Sequence, residues 1–191
     1  IGNCQAGWAV MMLAAVRPEL FGPLIIAGSP LSYWAGVEGE NPMRYTGGVL
    51  GGSWLTALTG DLGNGKFDGG NLVTNFEGLN PANTLWSKQY NLWSKIDTEA
   101  ERYLEFEKWW GGHVNLNADE MQWIVDQLFV GNRLATAEIR TADGQRIDLR
   151  NIRSPIVCFC SKGDNITPPQ QALGWIVDLY QKDDDIKASG Q

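Results

Sequence analysis

The chain is poor in residues that ligate metals: it has one histidine, His113, and three cysteines, Cys4, Cys158 and Cys160, with no Cys/His cluster among them. A structural zinc site needs about four such ligands, so none is expected, and no other cofactor is called for. Three cysteines are an odd set, and two of them share one face of PIVCFC. That pattern is no disulfide framework and suits a reducing cytoplasm. Positive charge is also scarce: 15 Lys and Arg against 22 Asp and Glu give a net charge of −7, without a basic stripe. Nucleic-acid binding is excluded as a working reading. Long apolar runs are missing too. The one from Trp8 to Val16 stops at Arg17-Pro18, well short of the roughly 20 residues that cross a bilayer. There is no initiator Met and no basic N-terminal region, so the start resembles neither a signal peptide nor a natural beginning. The expectation is a cytoplasmic fragment cut at both ends. What is present is enough apolar residue, 43% of 191, to fill the core of one ordinary domain.

Along the chain, Ile1-Gly2-Asn3 reads as the tail of a strand. Residues 5–16 read as a helix with hardly any polar face, ended by Arg17-Pro18. PLIIAG at 23–28, bounded by Gly-Pro and Gly-Ser-Pro, has the composition of a fully buried parallel strand. Strand, helix and strand within 28 residues form a right-handed βαβ unit. From 31 to 130 the composition changes. Glycine is dense between Gly36 and Gly78, and seven of the nine tryptophans fall in this stretch. It reads as an inserted, mostly helical lid with helices near 49–59, 86–94, 98–110 and 118–129, the last capped by Asn117 or its neighbour. The α/β pattern then resumes. Residues 136–140 and 145–149 flank Ala-Asp-Gly as a β-hairpin, and 155–160 is another buried strand. Thr167 as N-cap and Pro168 in the first turn launch a helix to Tyr180, and the acidic tail beyond is polar.

The candidate chemistry begins at Gly2-Asn3-Cys4-Gln5-Ala6-Gly7. In the nucleophile elbow of α/β-hydrolases, written G-x-S-x-G, a strained strand-to-helix turn exposes the nucleophile. Small residues on either side let strand and helix approach closely. Cys4 sits in that context, and a helix N-terminus would favour its thiolate. The N–H of Gln5 would be one donor of an oxyanion hole. The bland reading is that Cys4 is a buried small hydrophobe, as most free cysteines are. A second element favours the nucleophile. The buried strand at 155–160 runs into Ser161-Lys162-Gly163-Asp164-Asn165-Ile166-Thr167-Pro168, and a triad acid belongs just beyond a late strand. Asp164 fits that place, although Asp is also common in turns before helices. His113, in WWGGHVNLN, precedes the acid, whereas the triad histidine should follow it. It reads as a lid residue, hydrogen-bonded structurally or touching substrate, and the catalytic histidine is expected beyond Gln191.

Two decoys are set aside. GDLGNGK at 60–66 matches the start of a P-loop, but Phe67 replaces the Ser or Thr that would hold Mg²⁺ and no buried strand precedes it. Asn165-Ile166-Thr167 spells a glycosylation acceptor and is more simply the turn after Asp164. The tryptophans, Trp34 among them, either pack the insertion's own core or line an apolar channel for an acyl chain.

On these residues the chain resembles polyhydroxyalkanoate synthases, and more closely a bacterial domain family of unknown function often labelled 3-hydroxyalkanoate synthetase. Gly2-Asn3-Cys4-Gln5-Ala6-Gly7 is similar to the synthases' cysteine version of the lipase box, with Ala6 where they usually carry glycine. Gly144 to Leu149, Ser154 to Val157 and Gly163 to Pro168 resemble their hairpin, strand and acid block. RPELFGPLIIAGSPLSYWAG and NPMRYTGGVLGGSWLTALT look like the second family, and this departure from the synthase lid puts polymer formation in doubt. The resemblance implies acyl transfer through a Cys thioester, with a 3-hydroxyacyl-coenzyme A as substrate rather than cofactor, and a polyester as its product. The expected architecture is α/β: the C-terminal part of an α/β-hydrolase fold with a parallel sheet, built from 1–30 and 131–191, and a lid at 31–130. Its N-terminal strands and its final strand with the histidine are expected to be missing. The alternatives are a thioesterase or ester hydrolase using the same cysteine, and a non-catalytic module that binds an apolar ligand, a polyester surface or a partner.

Overall fold

The computed structural model describes residues 1–36, 51–164 and 166–189. The chain divides into two compact units, one made of Ile1–Ser53 with Trp123–Gln191 and the other of Trp54–Gln122. The second lies inside the stretch read as an insertion. The first two residues of the helix expected at 49–59, all of the run NPMRYTGGVL, and Asn165 lie outside the described residues.

The first unit is α/β with a parallel sheet. Strands β1 (Gly2–Asn3), β2 (Leu24–Ala27) and β5 (Ile156–Phe159) pair in the order β1-β2-β5, all parallel, with Gly2 beside Ile26 and Ile26 beside Cys158. Helix α1 (Ala6–Val16) connects β1 to β2. It ends where Arg17, at φ −130° and ψ 60°, leaves the helical region, as the residue before a proline is pushed to do. Its buried side is narrow: Gly7, Met11, Ala14 and Ala15 face inward, while Leu13 is half exposed. Small residues let α1 lie close to the sheet, so that a Cβ on Gly7 would meet Ile26 Cγ2 at 3.2 Å.

Helix α7 (Pro169–Leu179) covers the same face through Trp175, Ile176 and Tyr180, which line an apolar gap of about 140 Å³ together with Ile26, Ile156 and Cys158. Pro168 holds the N-cap place expected for Thr167. With Pro169 next, two of the N–H groups that a cap would serve do not exist, and Thr167 is buried instead. A short helix, α8 (Asp183–Ser189), follows in the tail read as merely polar.

Among the described residues, the opposite face of the sheet is uncovered. Ile25 is exposed on β2, and on β5 Val157 and Phe159 are 56% and 67% exposed. Alternation places them together, across from the buried Leu24, Ile26 and Cys158 side.

The hairpin expected at 136–149 is reduced to one antiparallel bridge between Arg140 and Arg146, flanked by Thr141 N–H to Gln145 O and Ile147 N–H to Ile139 O, both 2.9 Å. Ala137 at φ 55° bends the first arm, and a 3₁₀ turn at Leu149–Asn151 ends the second. Their apolar residues Ile139, Ile147, Leu149 and Ile152 still join Met11 and Ala15 in the core.

In the second unit, α2 (Trp54–Leu62) leads through left-handed Asn64 and Gly65 into β3 (Lys66–Phe67), which pairs antiparallel with β4 (Leu116–Asn117). A strand after the glycine turn, instead of a helix, is the wrong context for a P-loop. Helix α3 (Gly70–Gly78) was not anticipated. A π-helical turn (Asn83–Ser87) runs into α4 (Lys88–Ser94), and α5 (Ile96–Trp110) follows. Helix α6 (Ala118–Ile124) is introduced by Asn117, whose Oδ1 accepts the Asp119 N–H at 3.0 Å. The tryptophans do not form a buried core here: Trp54, Trp86, Trp93 and Trp109 are exposed, and Trp110 alone of these five is half-buried. Lys88 ties the unit together, with Glu107 at 2.9 Å and Glu77 at 3.6 Å, while the Trp110 indole donates to Glu77 at 2.7 Å.

Candidate active site at the carboxyl edge of the parallel sheet

Cys4 is held at the end of β1 by its own N–H, which donates to Ala27 O at 2.8 Å and extends the ladder one step past the strand. Its carbonyl then accepts the Gly7 N–H at 3.0 Å, closing a tight turn. The turn forces Cys4 to φ 52°, in the left-handed region, and it is half-buried. A non-glycine residue there carries about 1–2 kcal/mol of strain that surrounding packing must offset.

That packing comes from two glycines. A Cβ on Gly2 would sit 2.7 Å from Gly7 Cα, and one on Gly7 would sit 2.0 Å from the Oγ of fully buried Ser29. Ala6, in the place where the synthase-type box has glycine, is exposed and takes no part. The small residue that this turn requires is therefore Gly7. Ser29 Oγ reaches Ala27 O at 3.2 Å and Gly2 O at 3.4 Å, tying the ends of β1 and β2.

Gln5 stands at the N-cap of α1, where the first N–H groups of a helix have no intrahelical acceptor. Its side-chain Oε1 accepts from the Trp8 indole at 2.7 Å and from the Tyr33 hydroxyl at 3.0 Å. Burial holds the Tyr33 phenol far above its ordinary range, so it is a hydrogen-bond donor at every physiological pH.

Asp164 lies in the loop that leaves β5. Its Oδ1 accepts the N–H groups of Ile166 and Thr167, each at 2.9 Å. Its Oδ2 is turned toward Gly28, 3.7 Å from where a Cβ on that residue would lie. Gly28 follows β2 at φ 53°, with its N–H on Phe159 O at 2.8 Å. Cys4, Gly28 and Asp164 thus follow three neighbouring parallel strands at their carboxyl ends. Neighbouring strands are about 4.8 Å apart, and Asp164 stands beside the end of β2, the strand between its own and the one that ends at Cys4.

Trp34 is in the loop after β2, its indole donating to Val130 O at 3.0 Å and its ring half exposed. His113 belongs to the second unit, where its Nε2 is 3.4 Å from Asp68 Oδ1. The structure brings Cys4, Gln5 and Asp164 to one edge of one sheet, with Trp34 in the same unit. Tyr33, Ser29 and Gly28 were not singled out beforehand; the only sequence signal was Gly28-Ser29 at the end of an apolar run. The described residues contain no group of His, Cys, Asp and Glu that could hold a metal ion, and no helix long and apolar enough to cross a membrane.

Comparison with known proteins places this edge in a wider setting. A protein of Rhizobium meliloti described as "Uncharacterized protein in ackA 5'region" is 75% identical over 191 residues, which is 100% of this chain and 26% of that protein. The chain thus spans about a quarter of that relative's length. Two proteins described as "Poly(3-hydroxyalkanoate) polymerase subunit PhaC" are distantly similar. The one from Haloferax mediterranei is 24% identical over 179 residues, 89% of this chain and 34% of its own length. The one from Thiocystis violacea is 22% identical over 174 residues, 88% of this chain and 46% of its own length. No solved structure matches. The family described as "Protein of unknown function (DUF3141)" matches residues 1–191. This α/β chain, with its cysteine turn and its distant relation to polyester polymerases, belongs to the DUF3141 family.

Proposed function

We propose that the full-length protein is a cysteine-dependent acyltransferase of the α/β-hydrolase superfamily, acting on 3-hydroxyacyl thioesters such as those of coenzyme A. The observation that carries this reading is the conformation of Cys4. A cysteine that only filled space would not need φ 52°, two glycines in van der Waals conflict with any Cβ, and an aspartate fixed at the same sheet edge. Strain of this kind is concentrated at functional positions.

In this reaction the Cys4 sulfur attacks the thioester carbonyl carbon and the N–H of Gln5 steadies the oxyanion. The bond from carbon to the coenzyme A sulfur breaks, and the departing thiolate takes a proton from an imidazolium. A second attack, by the hydroxyl of another 3-hydroxyacyl group, forms the ester and returns sulfur to Cys4. The imidazole takes the hydroxyl proton in that step. Asp164 orients and charges-balances this imidazole through Oδ2. In this reading the histidine comes from outside residues 1–191, because a triad histidine follows the acid on this fold and His113 precedes Asp164. The distant similarity to polymerase subunits supports 3-hydroxyacyl groups as the substrate class.

The test is release of coenzyme A from 3-hydroxybutyryl-coenzyme A by the full-length protein and by Cys4→Ala. Release that Cys4→Ala abolishes supports the reading. Equal release by both proteins, or none by either, overturns it.

A further inference from the structure

We infer that Tyr33 is a positioning residue for the Cys4 turn, acting through the side chain of Gln5; this rests on the reading of Cys4 as the nucleophile. Tyr33 is 1% exposed and is held at every point along its length. Its N–H donates to Asn132 Oδ1 at 2.7 Å, its carbonyl accepts from Gln171 Nε2 at 3.3 Å, and its ring lies 4.3 Å from that of Phe129, centroid to centroid. Asn132 and Gln171 are themselves buried, and Asn132 is set at φ 51°. The phenol is therefore a fixed post, and the one polar group at its tip donates to Gln5 Oε1 at 3.0 Å.

Gln5 by contrast is an exposed residue on the first turn of α1, where a long amide side chain is ordinarily free. Two donors from different directions remove that freedom: Trp8, three residues along the same helix, and Tyr33, in the loop after β2. The Tyr33 bond joins the start of α1 to the loop that follows β2, the strand whose Ala27 carbonyl receives the Cys4 N–H. Phenylalanine would supply the same ring packing against Phe129. The hydroxyl is needed for the tie to Gln5, the residue whose N–H must meet the oxyanion. Misplacement of such a donor by about 1 Å is enough to slow a reaction strongly.

The experiment compares full-length wild type, Tyr33→Phe, Gln5→Met and the double variant. It reads the rate of iodoacetamide alkylation at Cys4, with Cys158 as internal reference, and single-turnover acylation by 3-hydroxybutyryl-coenzyme A. Tyr33→Phe is expected to slow both reactions at Cys4 about fivefold, the worth of one hydrogen bond, and Gln5→Met, which loses the Trp8 bond as well, at least as much, with KM for the thioester kept and Cys158 unchanged. The double variant is expected to be no slower than Gln5→Met, which already lacks the bond that Tyr33→Phe removes. Wild-type rates at Cys4 in the single variants, effects shared equally by Cys158, or effects that multiply in the double variant overturn the inference. Gln5→Met, at an exposed position, carries the test if Tyr33→Phe folds poorly. Tyr33-dependent alkylation without any acylation leaves the positioning role standing and overturns the acyltransferase reading instead.

Discussion

The Cα of Gly7 lies where a Cβ on Gly2 would have to go, at a distance of 2.7 Å, and this contact sets how sharply the chain turns through Cys4. Gly7 is also pressed against the buried Ser29 Oγ, at 2.0 Å from its own hypothetical Cβ. Gly7→Ala is therefore expected to destabilise the full-length protein by about 1–3 kcal/mol, as overpacking does, and to lower its denaturation midpoint. Ala6→Gly, at an exposed site on the same turn, should cost no more than about 1 kcal/mol. Equal losses from the two substitutions would contradict Gly7 as the small residue of the turn.

In the proposed reaction Asp164 uses one oxygen in its own turn and the other toward the imidazole. Asp164→Asn keeps an oxygen to accept the Ile166 and Thr167 N–H groups, so the thermal midpoint should hardly move. Coenzyme A release should fall by roughly 10³–10⁴, because an amide neither orients nor balances an imidazolium. Loss of stability in parallel with loss of activity would make Asp164 a turn residue only.

Burial, followed by its neighbour Cys160, pushes the Cys158 thiol up to about 11. Held in its neutral form, Cys158 should react slowly with iodoacetamide at pH 8 and about tenfold faster per pH unit until about pH 11. The sign for stability follows. Above the ordinary thiol value of about 8.5 the unfolded chain ionises and the folded chain does not, so this contribution is lost as pH rises from there toward 11. Fast labelling of Cys158 at pH 7 would contradict its burial.

In the second unit, hydrogen bonding from Thr84, then from Trp110, together with the Lys88 charge, holds the Glu77 carboxyl below its usual range, and Glu107 raises Lys88. Lys88→Met leaves Glu77 and Glu107 facing each other without a cation. It should destabilise the unit by about 1 kcal/mol at pH 7, and by less as pH falls through the lowered range of Glu77. A pH-independent loss would mean that the Lys88 stem, not its charge, matters.

The bare sheet face offers a further check. Residues 1–191 made alone should self-associate through Ile25, Val157 and Phe159, and Val157→Thr with Phe159→Thr should raise the soluble fraction. Monomeric behaviour of the unsubstituted chain in sedimentation would refute this.

The elements that form the sheet were legible because each is a short, wholly apolar run with abrupt ends. LIIA and IVCF read as strands buried on both faces, whereas the structure covers one face only, the one on which the greasy helix between Cys4 and Arg17 lies. Cys4 and Asp164 were legible from their places at strand ends. The hairpin at 136–149 was overread, since Ile139 and Ile147 serve the core through irregular backbone. Helix α3 went unseen because GNLVTNFEG carries glycine at both ends and little apolar periodicity. The exposed tryptophans also ran against expectation, since size and hydrophobicity argue for burial. The tie between Gln5 and Tyr33 joins residues 28 apart in sequence and exists only once α1 has packed on β2.

The central claim is that Cys4 carries an acyl group. The most direct measurement is peptide mass analysis of full-length protein quenched within one turnover of 3-hydroxybutyryl-coenzyme A. The account predicts one 3-hydroxybutyryl group on the peptide that contains Cys4 and none on the peptide with Cys158 and Cys160. Coenzyme A release with an unmodified Cys4 peptide throughout the time course would contradict it.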